Sequence, residues 1–137
     1  MNKVVYTFGW RRQMRILVVD DSRIMRNIIK NTLMYLHQPD DEYLEAADGA
    51  EALDLLLKNQ VDLVLLDWNM PKLNGLELVK KLRAMEQFQN LPIIMITSEA
   101  AKYNVIEAIK EGVNDYLVKP VSERGLLAKI KRVFPNL

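Results

Sequence analysis

Short, largely apolar runs alternate with longer amphipathic segments along most of the chain. The runs cover residues 15–19, 43–46, 63–66, 92–97 and 115–118. Runs of this length, bounded by polar residues, glycine or proline, are typical of buried strands. The segments between them carry apolar residues at helical spacing, as in Ile24, Met25, Ile28, Ile29, Met34 and Leu36. We predict five strands, each followed by a helix. The helices cover about 23–36, 49–57, 76–85, 102–111 and 122–134.

This alternation predicts an α/β fold, in which right-handed crossovers place helices on both faces of a parallel sheet. The 137 residues suit one domain. Residues 1–13 mix glycine and arginine with aromatic residues and follow neither period. We therefore expect 1–13 to be a flexible N-terminal extension and 14–137 to form the domain.

Composition narrows the function classes. The formal net charge is +1, which gives no reason to expect nucleic acid or an anionic membrane as a partner. The chain has no cysteine, which excludes disulfides and thiolate chemistry and is compatible with the cytoplasm. No apolar run approaches the roughly 20 residues that a membrane-spanning helix needs.

Polar residues stand where four of the five strands end. Asp20 and Asp21 follow the first strand, Asp67 follows the third, Thr97 ends the fourth and Lys119 follows the fifth. Since the carboxyl ends of parallel strands share one edge of a sheet, these side chains should converge in a crevice there. Each has an ordinary structural explanation alone, but their joint placement favours a site.

The chemistry of this set suggests phosphoryl transfer. Three clustered carboxylates raise one another's pKa unless a cation is present. Hard oxygen ligands suit Mg²⁺, which prefers one or two carboxylates together with phosphate oxygens. The lysine supplies a positive charge and the threonine a hydroxyl donor. An aspartate so placed can attack phosphorus and form an acyl phosphate.

Five motifs, in order, resemble the receiver domain of two-component response regulators, most of all its chemotaxis members, the CheY group. The resemblance covers about residues 14–134. It implies a flavodoxin-like, doubly wound sheet of five parallel strands in the order 2-1-3-4-5, with five helices on both faces. The motifs are Leu17-Val-Val-Asp-Asp21, Leu66-Asp-Trp-Asn-Met-Pro71, Asn74-Gly-Leu-Glu-Leu78, Thr97-Ser-Glu-Ala100 and Tyr116-Leu-Val-Lys-Pro120.

The resemblance also implies roles at the acidic end of the site. Asp67 is expected to be the phospho-acceptor. Asp21 and Asp67 are expected to bind Mg²⁺ directly, with the backbone carbonyl of Asn69 as a third ligand and Asp20 acting through a coordinated water. Mn²⁺ is the expected substitute for Mg²⁺.

Other roles follow from the same resemblance. Thr97 and Lys119 are expected to engage the phosphoryl group, and Thr97 and Tyr116 to form the switch. A cis peptide at Lys119-Pro120 is expected to place the amine in the site. Asn69 and Glu99, each two residues beyond a site residue, are expected to tune the lifetime of the phosphoryl group.

The implied protein is a monomeric signalling module rather than an enzyme. It takes its phosphoryl group from a histidine kinase and acts on a flagellar motor switch protein, and a dedicated phosphatase is a further possible partner that removes the phosphoryl group. A phosphorelay intermediate or a stand-alone regulator of a kinase is the alternative. An aspartate-nucleophile phosphatase would need a second acid at Asn69, and a flavodoxin-like cofactor binder would need a Ser/Thr/Gly-rich loop at Asp20 and Asp21.

Overall fold

The fold is known from a computed structural model that describes residues 13–34, 41–98 and 102–135. Strands and helices alternate through these ranges, as predicted. A 3₁₀ turn at Glu86–Phe88, which the sequence pattern did not indicate, follows the third helix. The elements are β1 (Arg15–Val19), α1 (Arg23–Leu33), β2 (Glu42–Ala46), α2 (Gly49–Lys58), β3 (Leu63–Leu66), α3 (Gly75–Arg83), β4 (Ile93–Thr97), α4 (Lys102–Lys110), β5 (Asp115–Val118) and α5 (Glu123–Val133).

The five strands form one parallel sheet in the order β2-β1-β3-β4-β5. This is the order that the resemblance implied, and it is confirmed. The strand order reverses beside β1, because β2 lies on one side of it and β3 on the other. Ligands of doubly wound sheets bind at the carboxyl end of such a switch point.

Two apolar layers cover the two faces of the sheet. In β3, Val64 and Leu66 face one layer and Leu63 and Leu65 the other, as expected where side chains alternate. All four are fully buried, which explains why β3 reads as an unbroken apolar run. The first layer contains residues of α2, α3 and α4, and the second contains residues of α1 and α5. Helices on both faces are therefore confirmed.

The first helix buries less of its apolar surface than its sequence pattern predicts. Ile29 and Leu33 are buried at 1% exposure each, whereas Ile24 is 74% and Met34 58% exposed. A helix on one face of a sheet buries a single stripe, and the apolar residues of α1 extend beyond that stripe. The helix ends at Leu33 with Met34 as its C-cap, and predicted residue Leu36 lies outside the described ranges.

Helix α3 begins one residue earlier than predicted because Asn74 and Glu77 form a capping box. Asn74 accepts a hydrogen bond from the Glu77 N–H at 2.9 Å, and the Asn74 N–H donates to the Glu77 carboxylate at 3.1 Å. The helix also ends early, since Met85 is extended and starts the 3₁₀ turn. Together these interactions fix the far end of the loop that leaves β3.

Met14, near the start of the described residues, is well anchored. Met14 is 5% exposed, and its N–H donates to the Asp41 carboxylate at 2.7 Å. Residues 1–12 lie outside the described ranges, so the predicted extension is untested. Among the helices that are described, none is long and apolar enough to span a membrane.

Candidate functional site

The predicted site residues stand together at the carboxyl edge of the sheet because backbone hydrogen bonds continue past the strand ends. The Asp67 N–H donates to the Val19 carbonyl at 2.9 Å, which extends the pairing of β3 with β1. The Lys119 N–H donates to the Thr97 carbonyl at 2.9 Å and extends the pairing of β5 with β4. Asp67 and Lys119 are therefore positioned by the strand pairing that precedes each of them.

Asp20, Asp21 and Asp67 form an acidic trio. Carboxylate oxygens of the three residues lie within 4.8 Å of one another. Asp20 is 1% and Asp67 6% exposed, whereas Asp21 is open to solvent. Three hard oxygen donors, two buried and one beside water, fit a divalent cation that keeps several water ligands. The acidic trio can therefore hold a metal ion.

Lys119 supplies the positive charge next to the acidic trio. Its Nζ donates to Asp20 Oδ2 at 2.9 Å and lies 3.5 Å from Asp67 Oδ1. Burial by itself lowers the pKa of Lys119, but the hydrogen bond to Asp20 and the charges of both aspartates outweigh it, so the pKa is raised. The lysine is thus firmly protonated. Its peptide bond to Pro120 is cis, as expected.

The surroundings of Asp67 disfavour its ionised form. Burial, followed by the negative charge of Asp20, raises the pKa of Asp67 from 3.8 to about 6, although Lys119 acts in the opposite direction. A carboxylate that is costly to ionise in the free protein gains most from an added cation. A cation bound beside Asp67 would therefore favour its ionised form.

Asp20 is held by neighbours that the sequence analysis did not identify. The Ser22 N–H donates to Asp20 Oδ1 at 2.9 Å, and Arg26 Nη1 donates to the Asp20 carbonyl at 2.6 Å. Arg26 Nε also donates to Glu45 at 2.8 Å, and the pKa of Glu45 is lowered by Lys30 and then by Arg26. The only sequence signal is a basic residue one turn after the Ser22 cap, which is too common to be diagnostic.

The loop after Asp67 is fixed at both ends. The Gly75 N–H donates to the Trp68 carbonyl at 2.9 Å, and a Cβ at Gly75 would collide with the Asp67 carbonyl. Farther along, the Gly49 N–H donates to the Leu73 carbonyl at 3.1 Å. Asn69 lies within this loop and is exposed, so its side chain is free to face an incoming molecule.

The remaining predicted residues lie on and beyond β4 and β5. Thr97 is 3% exposed at the end of β4, in register with Val118. Tyr116 is half-buried, in register with Met95, and packs against the first apolar layer together with it. Thr97 and Tyr116 therefore stand on neighbouring strands, two residue positions apart. Glu99 lies outside the described residues.

Comparisons with known proteins agree with this geometry. The family model of the response regulator receiver domain matches residues 16–131. The chain is 54% identical over 121 residues to a chemotaxis protein CheY homolog of Campylobacter jejuni, covering 88% of this chain and 92% of the relative.

Solved structures show the same similarity. Vibrio cholerae chemotaxis protein CheY4 superposes with a TM-score of 0.79 at 35% identity, covering 89% of this chain and 99% of that chain. The Mn²⁺-bound form of response regulator Rcp1 superposes with a TM-score of 0.72 at 27% identity, covering 88% of each chain. The family match includes all five strands, except the first residue of β1, and the residues at their carboxyl ends, so this chain belongs to the response regulator receiver domain family.

Proposed function

We propose that this protein is a chemotaxis response regulator that accepts a phosphoryl group on Asp67 from a histidine kinase. The observation that carries the proposal is the placement of Asp67 at the end of the central strand, beside the other two acids of the trio and 3.5 Å from the ammonium of Lys119. The names of its relatives, chemotaxis proteins of the CheY group, support the pathway. In this role the protein is a signalling module that acts on its own phosphorylation state.

The transfer consists of one displacement at phosphorus. A carboxylate oxygen of Asp67 attacks the phosphorus of the kinase phosphohistidine, the P–O bond forms as the P–N bond breaks, and the imidazole leaves with a proton from solvent. Asp67 must be ionised to attack. With a pKa of about 6, it is mostly ionised near neutral pH, and a bound cation would favour the carboxylate further.

We infer that Mg²⁺ is the metal of this site, with Mn²⁺ as a substitute. Asp21 and Asp67 would bind it directly, together with the backbone carbonyl of Asn69, and Asp20 would act through a coordinated water. When bound, the ion supplies positive charge to the transferring phosphoryl oxygens. The all-oxygen donor set and the solvent opening at Asp21 support this assignment.

Lys119 and Thr97 would bind the phosphoryl group once it is on Asp67. Lys119 Nζ already lies 3.5 Å from Asp67 Oδ1, so a small movement would bring it to a phosphoryl oxygen. The hydroxyl of Thr97, at the end of the next strand, would donate to another oxygen. These contacts exist only in the phosphorylated state and therefore favour it.

The switch would pass from Thr97 to Tyr116. Movement of Thr97 toward the phosphoryl group opens space on the same face of the sheet, and the ring of Tyr116 would enter it. The surface formed by α4, β5 and α5 then changes shape. Ile106 and Val118, which are 47% and 37% exposed, belong to this surface and give it apolar character suited to a protein partner.

The partner of that surface would be a flagellar motor switch protein, and a phosphatase would clear the signal in the cytoplasm. The exposed Asn69, with Glu99, would set how readily water reaches the acyl phosphate. The working unit would be a monomer formed by residues 14–137, with residues 1–13 as an extension. A phosphorelay intermediate or a regulator of a kinase is the alternative output.

The acceptor is tested with a small acyl phosphate. Wild type and Asp67→Asn are incubated with acetyl phosphate and Mg²⁺, then compared by intact mass and by sensitivity of the adduct to hydroxylamine. Wild type should gain one phosphoryl group that hydroxylamine removes, and the variant should gain none. Equal modification of both proteins would place the acceptor elsewhere.

The output is tested with the same phosphorylated protein. Immobilised wild type and Asp67→Asn are each treated with acetyl phosphate and Mg²⁺ and exposed to a lysate of the source cells. Retention of a motor switch protein only by phosphorylated wild type supports the chemotaxis role. Retention of a histidine phosphotransfer protein instead would favour the phosphorelay alternative.

A further inference from the structure

A nearly buried carboxylate lies at the open edge of the sheet, away from the acidic trio. Asp115 is the first residue of β5, the edge strand, and is 5% exposed. Its Oδ1 accepts hydrogen bonds from the Tyr116 N–H at 2.8 Å and from Lys129 Nζ at 3.2 Å. Within the described ranges its Oδ2 has no hydrogen-bond donor and lies 3.4 Å from a guanidinium nitrogen of Arg132.

Such a carboxylate costs free energy unless it is paired. Lys129 is the closer of its two cationic neighbours and the more buried, with a side chain 22% exposed compared with 71% for Arg132. We call Asp115 and Lys129 the edge pair. Neither residue touches the acidic trio, so the phosphoryl chemistry does not explain why the edge pair is present.

Lys129 has a second neighbour, which is the aromatic residue of the proposed switch. Its Nζ lies 5.0 Å from the centroid of the Tyr116 ring. A cation within about 6 Å of a ring centroid is attracted by the negative face of the ring. Asp115 lies on the α5 side of the sheet, whereas Tyr116 packs against the opposite layer. Lys129 therefore reaches around the open edge of β5 to meet both.

We propose that Lys129, anchored by Asp115, is a positioning residue that holds the ring of Tyr116 in the unphosphorylated protein. This inference rests on the proposed function, because it assigns the edge pair a part in the same switch. If the ring must leave the ammonium to enter the space near Thr97, the edge pair opposes activation. The free energy of the contact between Lys129 and the ring then offsets part of the free energy by which the phosphoryl group favours the active state.

The first test uses no phosphoryl group. The protein is labelled with ring-¹³C tyrosine, and the Tyr116 signal is assigned by its loss in Tyr116→Phe. In Lys129→Met the apolar stem remains and the ammonium is gone, so the Tyr116 signal should shift from its wild-type position. Lys129→Arg should restore most of the wild-type signal, and Lys131→Met, which removes an exposed lysine of the same helix, should leave it unchanged.

A second variant guards against misfolding. Lys129→Met leaves Asp115 with the exposed Arg132 as its cationic neighbour, whereas Asp115→Asn/Lys129→Met removes both charges of the edge pair and keeps an acceptor for the Tyr116 N–H. The double variant should show the same shift of the ring signal. If both variants keep the wild-type signal, the edge pair does not position the ring and the proposal is wrong.

The second test adds acetyl phosphate and Mg²⁺. The Tyr116 signals of resting and of phosphorylated wild type define the two ring positions. In the variants, the ratio of the phosphorylated-like ring population to the resting ring population should be about threefold to tenfold higher than in wild type, as expected for a lost cation–ring contact. An unchanged ratio would overturn the proposal.

If wild type is phosphorylated by mass but its ring signal does not move, the switch role of Tyr116 fails, and the proposal fails with it. If wild type is not phosphorylated at all, the proposed function fails at Asp67, while the first test still decides whether the edge pair holds the ring.

Discussion

Lys119 Nζ donates a hydrogen bond of 2.9 Å to Asp20 Oδ2, and this pair joins the end of β5 to the end of β1 across β3 and β4. The side chain of Asp20 is only 2% exposed, so the lysine neutralises a carboxylate that water can hardly reach. A divalent cation bound by the acidic trio would neutralise the same carboxylate. The lysine and a bound metal would therefore be alternative counter-charges for Asp20, and metal binding would release Lys119 for a phosphoryl oxygen.

Lys119→Met should consequently destabilise the metal-free protein and strengthen its affinity for Mg²⁺. Removing the ammonium leaves Asp20 buried without its partner, which should lower the free energy of unfolding by about 1–3 kcal/mol. Saturating Mg²⁺ should recover most of this loss. Urea denaturation with and without Mg²⁺, followed by tryptophan fluorescence, measures the stability, and a Mg²⁺ titration followed by the same fluorescence measures the affinity.

Lys58→Met is the matched control for the lysine prediction. Lys58 pairs with Asp54 one helical turn earlier, at 3.1 Å, and both side chains are more than half exposed. Pairs of this kind contribute about 0.5 kcal/mol or less. The control should unfold close to wild type with or without Mg²⁺. A Mg²⁺-independent loss of stability in Lys119→Met would contradict the idea that lysine and metal are alternative counter-charges.

Asp67→Asn should stabilise the metal-free protein at neutral pH. Because the pKa of Asp67 is raised from 3.8 to about 6, the folded state binds this proton more tightly than the unfolded chain. Its contribution to the free energy of unfolding therefore falls as the pH rises from about 4 to about 6. The variant lacks this titration and should exceed wild type by about 1–2 kcal/mol near pH 7.5.

The pH series itself supplies the control for the Asp67 prediction. Near pH 4 the wild-type carboxyl is largely protonated, so the difference in stability between the two proteins should disappear. Added Mg²⁺ should reverse the order at neutral pH, since a metal that binds only the folded state stabilises wild type more. Equal urea midpoints at about pH 7.5 without metal would show that Asp67 ionises without cost.

Gly75→Ala should damage the site through the backbone. A Cβ at Gly75 would collide with the Asp67 carbonyl and lie 3.0 Å from the Trp68 Cα, and neither backbone group can move without displacing the acceptor. The free energy of unfolding should fall by about 2 kcal/mol or more, and phosphorylation by acetyl phosphate should slow. Urea denaturation and the rate of phosphoryl incorporation by intact mass measure the two effects.

Gly125→Ala provides the comparison for Gly75→Ala. At Gly125 the added methyl group would meet only side chains, Ser122 Oγ at 2.9 Å and Leu117 Cδ1 at 3.3 Å. Ser122 Oγ caps α5 by accepting a hydrogen bond from the Gly125 N–H at 3.0 Å, so moving it would cost about 1 kcal/mol, and the helix preference of alanine over glycine, also about 1 kcal/mol, offsets that cost. This variant should stay within about 1 kcal/mol of wild type and keep the wild-type phosphorylation rate. Similar losses in both variants would point to general sensitivity of the fold to added volume.

The sequence pattern predicts which residues share the carboxyl edge of the sheet, because that placement depends only on where the strands end. Asp67 and Lys119 each follow an apolar run directly, and a parallel sheet must bring such positions to one edge. The pattern alone does not determine strand order, since a crossover to the adjacent strand and a crossover that skips a strand are both compatible with the same alternation of strands and helices. Here the order followed from the family resemblance.

The pattern of apolar and polar residues could not predict which side chains form hydrogen bonds or ion pairs with each other, for a different reason. The hydrogen bond of Lys119 to Asp20 depends on which rotamer the lysine adopts in the crevice. The edge pair depends on α5 packing beside β5, so that residues 14 positions apart in the chain meet. Ile24 and Ile28 show the same limit, because periodicity marks them as apolar while only the neighbouring elements decide that they stay exposed.

Thr97→Ala should separate phosphorylation from output. Thr97 is 3% exposed at the end of β4, and its hydroxyl is the group proposed to follow the phosphoryl oxygens. Without it, Asp67 keeps its position at the end of β3 and should still accept the phosphoryl group, but the space for Tyr116 would not open in response. The phosphorylated variant should bind the captured partner about fivefold or more weakly than phosphorylated wild type, as expected for a lost coupling between sites. Thr97→Ser keeps the hydroxyl and should retain most of the affinity. Affinities are compared by titration at matched phosphorylated fractions, and equal binding by phosphorylated Thr97→Ala and wild type would remove Thr97 from the switch.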